Sequence, residues 1–312
     1  MTAAMIELDD GAQLRTWTTG SATPQTVPLV MVHGGPGVPD YLAPVAGIID
    51  DLCLVHRYDQ RGTGGSSWEG EHTIARHVQD LTLLLDAWGH DRVVLVGHSF
   101  GTNMASYFLL AHPERVAGLI QIAGPFLDPW READRAAQRA RRTDQQRARL
   151  DELDAIESRT DAEEIEYLTL SWFTDHADRA RARDWALASA RTLRPINYAM
   201  NSQLNAAKKA DPLESHVDEL REHLPPGTVI IGGAGDSRPA DALRRLGTRL
   251  NCEVIIIPNA GHYPWLEAPD QFTAALRAAV KSQTQRGQLT GQRSPEPDAA
   301  GLSASSQAAA HR

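Results

Sequence analysis

Gly97-His98-Ser99-Phe100-Gly101 follows the apolar run Val93-Val94-Leu95-Val96 and opens a helix-like stretch that ends before Pro113. A serine between two glycines at this spacing suits a tight strand-to-helix turn, because small flanking residues let strand and helix approach closely. The serine is then pushed out at the carboxyl edge of a sheet, where a nucleophile is accessible. Gly-x-Ser-x-Gly also arises by chance, so the weight lies in its setting. The required strand precedes it and the required helix follows.

A serine hydroxyl is a poor nucleophile at neutral pH and needs a base, which in turn needs an orienting partner. Downstream, Thr228-Val229-Ile230-Ile231 reads as a buried strand running into Gly232-Gly233-Ala234-Gly235-Asp236. Another strand, Val254-Ile255-Ile256-Ile257, leads to Asn259-Ala260-Gly261-His262. Singly, Ser99 has an ordinary role as a helix N-cap, Asp236 as a turn former and His262 as a capping or solvent-facing histidine. Jointly they occur in the order Ser, Asp, His, each past the end of a different predicted strand. That edge of an open parallel sheet is where ligands bind, so the three are the candidate catalytic triad.

His33-Gly34-Gly35-Pro36-Gly37 follows the strand Leu29-Val30-Met31-Val32. Alone it reads as a Gly-Pro turn. Beside Ser99 it gains a second reading, because a tetrahedral intermediate carries a negative oxygen that preorganised N–H groups must stabilise. Phe100, directly after the nucleophile, and Gly35, in this loop, are the candidate oxyanion donors.

These segments, together with Asp59-Gln60-Arg61-Gly62-x-Gly64-x-Ser66, resemble the proline iminopeptidase family of the α/β-hydrolases over about residues 5 to 280. The resemblance implies an α/β-hydrolase fold, with a mostly parallel central sheet, helices on both faces and an inserted helical cap. It implies Ser99 as nucleophile, Asp236 as acid, His262 as base, and Gly35 and Phe100 as oxyanion donors. It further implies release of an N-terminal residue from a short peptide or amide, with no cofactor. The family's peptidases carry Gly-Gly-Ser-Trp-Gly at the nucleophile and cap glutamates in a Glu-Asn-His-Tyr-Phe-like stretch. Here the first is Gly97-His98-Ser99-Phe100-Gly101, and Ile165-Glu166-Tyr167 and Trp172-Phe173-Thr174-Asp175-His176 are the nearest counterparts of the second. An esterase or lactonase acting on a small molecule is therefore the alternative, and a non-catalytic ligand-binding homologue a third reading.

At 312 residues with 42% hydrophobic content, the chain can bury a sizeable core. Its formal charge of −9 argues against nucleic acid or an anionic membrane as partner. No segment approaches the roughly twenty apolar residues of a membrane span. Met1 to Asp10 has no basic region followed by an apolar core, so a cytoplasmic location is expected. Cys53 and Cys252, both placed in predicted strands, read as buried reduced thiols. His72 and His77 lack a nearby third ligand, so no metal site is expected.

Ile6 to Trp17 reads as a hairpin turning at Asp9-Asp10-Gly11, after which apolar runs alternate with amphipathic helices. Residues 1–124 and 226–282 form the predicted core. Residues 125–225, helical and without strand-like runs, form the predicted lid, whose Trp130, Tyr167, Trp172, Phe173, Trp185 and Tyr198 are candidates for a nonpolar substrate wall. The acidic cluster from Asp151 to Glu166 is either a solvated helix face or an attractor for a cationic amine. Arg61 is expected to tie loops to a carboxylate. Residues 283–312, poor in large apolar side chains, read as a disordered tail.

Overall fold

The computed structural model describes residues 2–23, 26–127 and 129–291. The chain opens with the hairpin β1 (Thr2–Glu7) and β2 (Gln13–Thr19). It continues through β3 (Leu29–Val32), α1 (Ala43–Ala46), β4 (Val55–Tyr58), α2 (Ile74–Ala87), β5 (Val93–His98), α3 (Phe100–Ala111) and β6 (Val116–Ile122). After the helical segment come β7 (Val229–Gly233), α10 (Ala240–Leu250), β8 (Glu253–Ile257), α11 (Pro264–Glu267) and α12 (Pro269–Gly291). The eight strands lie in the order β1-β2-β4-β3-β5-β6-β7-β8. β1 pairs antiparallel with β2, and β2 with β4, whereas every later pair is parallel. This is an α/β-hydrolase fold.

The central strands are apolar at nearly every position because both faces of the sheet are covered. In β5, Val93 and Leu95 enter one core while Val94 and Val96 enter the other. The first core is closed by Val78, Leu81 and Leu85 of α2, Phe108 of α3 and Leu246 of α10. The second is closed by Val45 of α1 and by Phe272, Leu276 and Val280 of α12. Alternate residues of one strand point to opposite faces, so a continuous apolar run feeds two layers at once.

Between β6 and β7 lie α4 (Arg131–Arg141), α5 (Asp144–Asp154), α6 (Asp161–Trp172), α7 (Ala182–Thr192), α8 (Tyr198–Ala210) and α9 (Val217–His223). Thr143 and Thr160 each close a capping box at the head of α5 and α6. These two caps satisfy backbone N–H groups that a helix start leaves unpaired. The described residues of this stretch contain no strand.

Two expectations are corrected. Cys53 and Cys252 lie just before β4 and β8 rather than within them. Both are free thiols, Cys53 buried and Cys252 half-buried, and burial pushes the first up to about 12 and the second to about 11. The folded region also does not stop at residue 282. Helix α12 runs on to Gly291, with Gln283 and Thr284 buried. The amide of Gln283 donates from Nε2 to the Gly227 carbonyl, which allows so polar a side chain to be buried. The rest of the expected tail, residues 292–312, lies outside the described residues. Among the described residues no helix is long and apolar enough to cross a membrane.

Candidate active site

Ser99 sits between β5 and α3 with φ 55° and ψ −121°, a conformation unfavourable for a residue with a Cβ and held only by its surroundings. The two flanking glycines are required by space. A Cβ on Gly97 would meet the Gly101 carbonyl oxygen at 2.7 Å, and one on Gly101 would meet the Val32 carbonyl oxygen at 2.0 Å. The turn is anchored by the Ser99 N–H, which donates to the Ile122 carbonyl at 2.9 Å.

Asp236 follows β7 and His262 follows β8, so the parallel sheet delivers three distant residues to one edge. Ser99 Oγ donates to His262 Nε2 at 2.8 Å, and His262 Nδ1 donates to Asp236 Oδ2 at 2.7 Å. Asp236 and His262 are both buried. Burial alone would raise the Asp236 carboxyl, but His262 and the Arg238 guanidinium outweigh it and hold it well below the usual carboxylate range. Asp236 is therefore an anion that fixes the Nδ1–H tautomer and leaves Nε2 free to accept a proton.

Gly35 and Phe100, the candidate oxyanion donors, border one cavity together with Ser99. Gly35 has φ +129°, open to glycine and not to L side chains. The neighbouring Gly34 N–H is already committed, donating to Tyr41 Oη at 2.9 Å. Of the two glycines, Gly35 is the one that borders the cavity at Ser99.

Tyr41 begins a relay that no sequence signal announced. Its hydroxyl donates to His98 Nδ1 at 2.6 Å, and His98 Nε2 donates to the His262 carbonyl at 2.9 Å. A carbonyl only accepts, so His98 carries its proton on Nε2 and accepts at Nδ1. Burial holds His98 well below the ordinary histidine value, which keeps it neutral. The Gly34–Gly35 loop, the Tyr41 ring and the His262 backbone are thus joined by consecutive hydrogen bonds.

His33 has a comparable positioning role. Its Nδ1 donates to the Gly34 carbonyl at 2.9 Å and its Nε2 accepts from the Gln60 N–H at 3.1 Å. Arg61, fully buried, donates to Asp80 at 2.6 and 2.8 Å and to Asp10 at 2.7 Å. It ties α2 to the opening hairpin, so the Asp59–Gly62 segment supports the site and does not line it. His72 Nδ1 and His77 Nε2 lie 3.2 Å apart and hydrogen-bond each other.

Two cavities meet at Ser99 and His262. The first, of about 330 Å³, is bordered by Tyr41, Tyr167, Trp172, Tyr198, Asp175 and Arg238. The second, of about 210 Å³, reaches past Phe100 to Trp130 and Lys208. Of the aromatics expected to form a substrate wall, Tyr167, Trp172 and Tyr198 border the first and Trp130 the second. Phe173 instead packs with Ala182 and Ala186, and Trp185 lies against the His176 ring at 5.2 Å. None of the carboxylates from Asp151 to Glu166 borders either cavity. Glu166 pairs with Arg149 at 2.8 Å and Glu164 with Arg159 at 2.6 Å.

Asp175, quoted above within a counterpart of the family's cap stretch, borders the first cavity, and Arg238, which the sequence reading does not single out, pairs with it. Arg238 Nη1 donates to Asp236 Oδ1 and to Asp175 Oδ1, both at 3.0 Å. The signal for the first was local, a cation two residues after the acid. The second contact joins segments 63 residues apart and has no local signal. Asp175 also accepts the His262 N–H at its carbonyl, at 2.8 Å.

Residues 27–269 match the model of the family described as alpha/beta hydrolase fold. A protein provisionally named carbamate hydrolase RutD, from Caulobacter sp. (strain K31), is 28% identical over 256 residues, covering 81% of this chain and 89% of the relative. A thermophilic esterase from Thermogutta terrifontis superposes with a TM-score of 0.69 at 20% identity, over 91% of this chain and 100% of that one. Proline iminopeptidase from Mycobacterium smegmatis gives 0.63 at 20% identity, over 93% and 100% respectively.

Proposed function

The chain belongs to the α/β-hydrolase fold family, and from that premise we propose that it is a serine hydrolase acting on an ester, carbamate or amide of a small molecule. The observation that carries this reading is the unbroken hydrogen-bond chain from Asp236 through His262 to Ser99. In the proposed reaction Ser99 Oγ bonds to the substrate carbonyl carbon as its proton passes to His262 Nε2. The N–H groups of Gly35 and Phe100 hold the oxyanion. Collapse of the tetrahedral intermediate expels the leaving group, which takes the proton from His262. Water then attacks the acyl-serine by the same route, and Ser99 recovers its proton. The helical segment 125–225 acts as the lid, since its residues wall the first cavity above Ser99.

An aminopeptidase of the proline iminopeptidase type needs a carboxylate free to hold the substrate ammonium. Among the described residues Asp175 is the one carboxylate that borders either cavity, and it is engaged by Arg238. With its carboxylate so engaged, the site favours a substrate without a free ammonium, neutral or anionic. A carbamate, the substrate class in the Caulobacter relative's name, is an acyl donor of this kind.

The test is labelling by a neutral fluorophosphonate with mass-spectrometric location of the adduct. We expect the adduct on Ser99, none in Ser99→Ala, and loss of 4-nitrophenyl acetate turnover in that variant by about a thousandfold or more. Hydrolysis of prolyl-7-amino-4-methylcoumarin should not exceed that of its N-acetylated form. Strict preference for the free amine would restore the aminopeptidase reading. Absence of both labelling and turnover in the wild type would leave a non-catalytic binding protein.

A further inference from the structure

The second cavity at Ser99 has an unusual balance of polar groups. Among the described residues its polar border beyond Ser99 and His262 consists of Asn103, Asn205, Lys208 and Arg238, with no carboxylate. Arg238 spends its charge on Asp175 and Asp236. Lys208, in the last turn of α8, does not. Its Nζ lies 5.6 Å from the centroid of the Phe100 ring, the side chain of the candidate oxyanion donor. The ammonium is half-buried, and no carboxylate among the described residues pairs with it. Glu214 acts on it from a distance, and Arg131 and Arg238 oppose that effect.

Asn103 lies one helical turn after Ser99 on α3 and is only 5% exposed. Its Oδ1 is buried without a partner, and none of the described protein groups bonds its amide. Buried amides and half-buried cations are ordinarily satisfied, because stripping them of water without replacement costs free energy. Here the Asn103 amide has no partner among the described residues and Lys208 has only the Phe100 ring, and both border one space beside Ser99. Rotation of the Asn103 amide about χ2 exchanges its oxygen and NH₂ at that position, so a carboxylate can place one oxygen on the ammonium and accept from the Asn103 NH₂ with the other.

We propose that this cavity is a subsite for a carboxylate on the substrate, paired with Lys208 and hydrogen-bonded by Asn103. This rests on the reading of Ser99 as nucleophile and narrows the substrate class to acid-bearing esters, carbamates or amides. Phe126 and Trp130 also border the cavity, and apolar surface beside an ion pair strengthens it relative to a fully exposed one.

The experiment compares kcat/KM for 4-nitrophenyl hemisuccinate with that for its methyl ester. A second pair, 4-acetoxybenzoate and its methyl ester, places the charge on the leaving group. Both ratios are read within the wild type, Lys208→Met and Lys208→Glu, so a general loss of activity cancels. In at least one pair the wild type should favour the acid by about tenfold or more, as expected for a partly desolvated ion pair. The preference should vanish in Lys208→Met and invert in Lys208→Glu. A wild type without preference in both pairs, or a preference that survives Lys208→Met, overturns the proposal.

A binding arm is independent of the chemistry. In Ser99→Ala, tryptophan fluorescence is titrated with butyrate and with butyramide, Trp130 serving as the reporter in the cavity. Butyrate should bind more tightly, and Lys208→Met in the same background should abolish the difference. Equal affinities would overturn the subsite. Fluorophosphonate labelling of the wild type separately reports whether the nucleophile assignment holds.

Discussion

Arg238 Nη1 lies 3.0 Å from Asp175 Oδ1, which makes the loop after α6 part of the same electrostatic unit as Asp236 and His262. The same nitrogen donates to Asp236 Oδ1 at 3.0 Å, so one guanidinium serves both the acid of the proposed triad and the segment that walls the first cavity. Asp236 consequently receives His262 on one oxygen and Arg238 on the other. A carboxylate held on both oxygens cannot rotate away from the imidazole, and its charge is maintained without water.

Replacing Arg238 by Met should therefore reduce kcat. A hydrogen bond to a charged group contributes about 1.5–3 kcal/mol, which corresponds to a rate loss of about ten- to a hundredfold. Arg238→Lys, which keeps the charge, should recover part of it. Steady-state kinetics on an uncharged ester decide the matter, and unchanged kcat in Arg238→Met would refute the coupling.

Tyr41→Phe removes the acceptor of the Gly34 N–H and the donor to His98 Nδ1 in one step. Leaving buried polar groups unpaired should lower stability by about 1–3 kcal/mol. Because the oxyanion loop and the base backbone share this relay, kcat should fall with little change in KM. Urea unfolding and initial-rate kinetics on the same preparation test both halves. A variant that loses stability but keeps kcat would reduce the relay to a structural role.

Gly101→Ala should destabilise the fold strongly, since its Cβ would stand 2.0 Å from the Val32 carbonyl oxygen. Neither partner is a flexible side chain, so helix and strand must separate. Overpacking costs typically about 1–3 kcal/mol, and backbone collisions more. Gly89→Ala is the control, since space there is open and only the strain of φ +73° is added. Thermal unfolding should place Gly101→Ala well below that control.

Acidification should weaken the fold through its buried histidines. Burial pushes His77 down to about 3 and His56 to about 4, whereas an unfolded histidine titrates near about 6.5. Between these values the unfolded chain binds more protons, so stability rises with pH and is lost as pH falls below about 6.5. Each buried histidine contributes at most about 1.4 kcal/mol per pH unit in that window. Urea midpoints at about pH 7 and about pH 5 measure the slope. His77→Asn should flatten it, and an unchanged slope would mean that His77 does not take part.

Much of the scaffold was legible because it rests on local constraints. Val93–Val96 reads as a buried strand from its continuous apolar run, and Gly97 and Gly101 read as an elbow because their spacing leaves room for a close crossing. The register of the parallel sheet then carries Asp236 and His262 to the same edge as Ser99. The end of the folded region was misjudged at Gln283, since composition cannot tell a solvated amide from one bonded to the Gly227 carbonyl. Cys53 and Cys252 were misplaced by residues at strand boundaries, where local propensity is weakest.

By itself, then, the sequence determined the fold class, the alternation of strand and helix, and the order of the three residues that meet at the sheet edge. Each of these follows from spacing and side-chain volume along a short stretch of chain. Only the tertiary structure decided the character of the site around them. Arg238 bridges Asp175 and Asp236, Tyr41 links Gly34 to His98, and Lys208 and Asn103 border one cavity with no carboxylate among the described residues. Charge in a cavity is a sum over side chains brought together from distant segments. Whether a given charge is cancelled or left for a substrate depends on distances that exist only once the chain has folded.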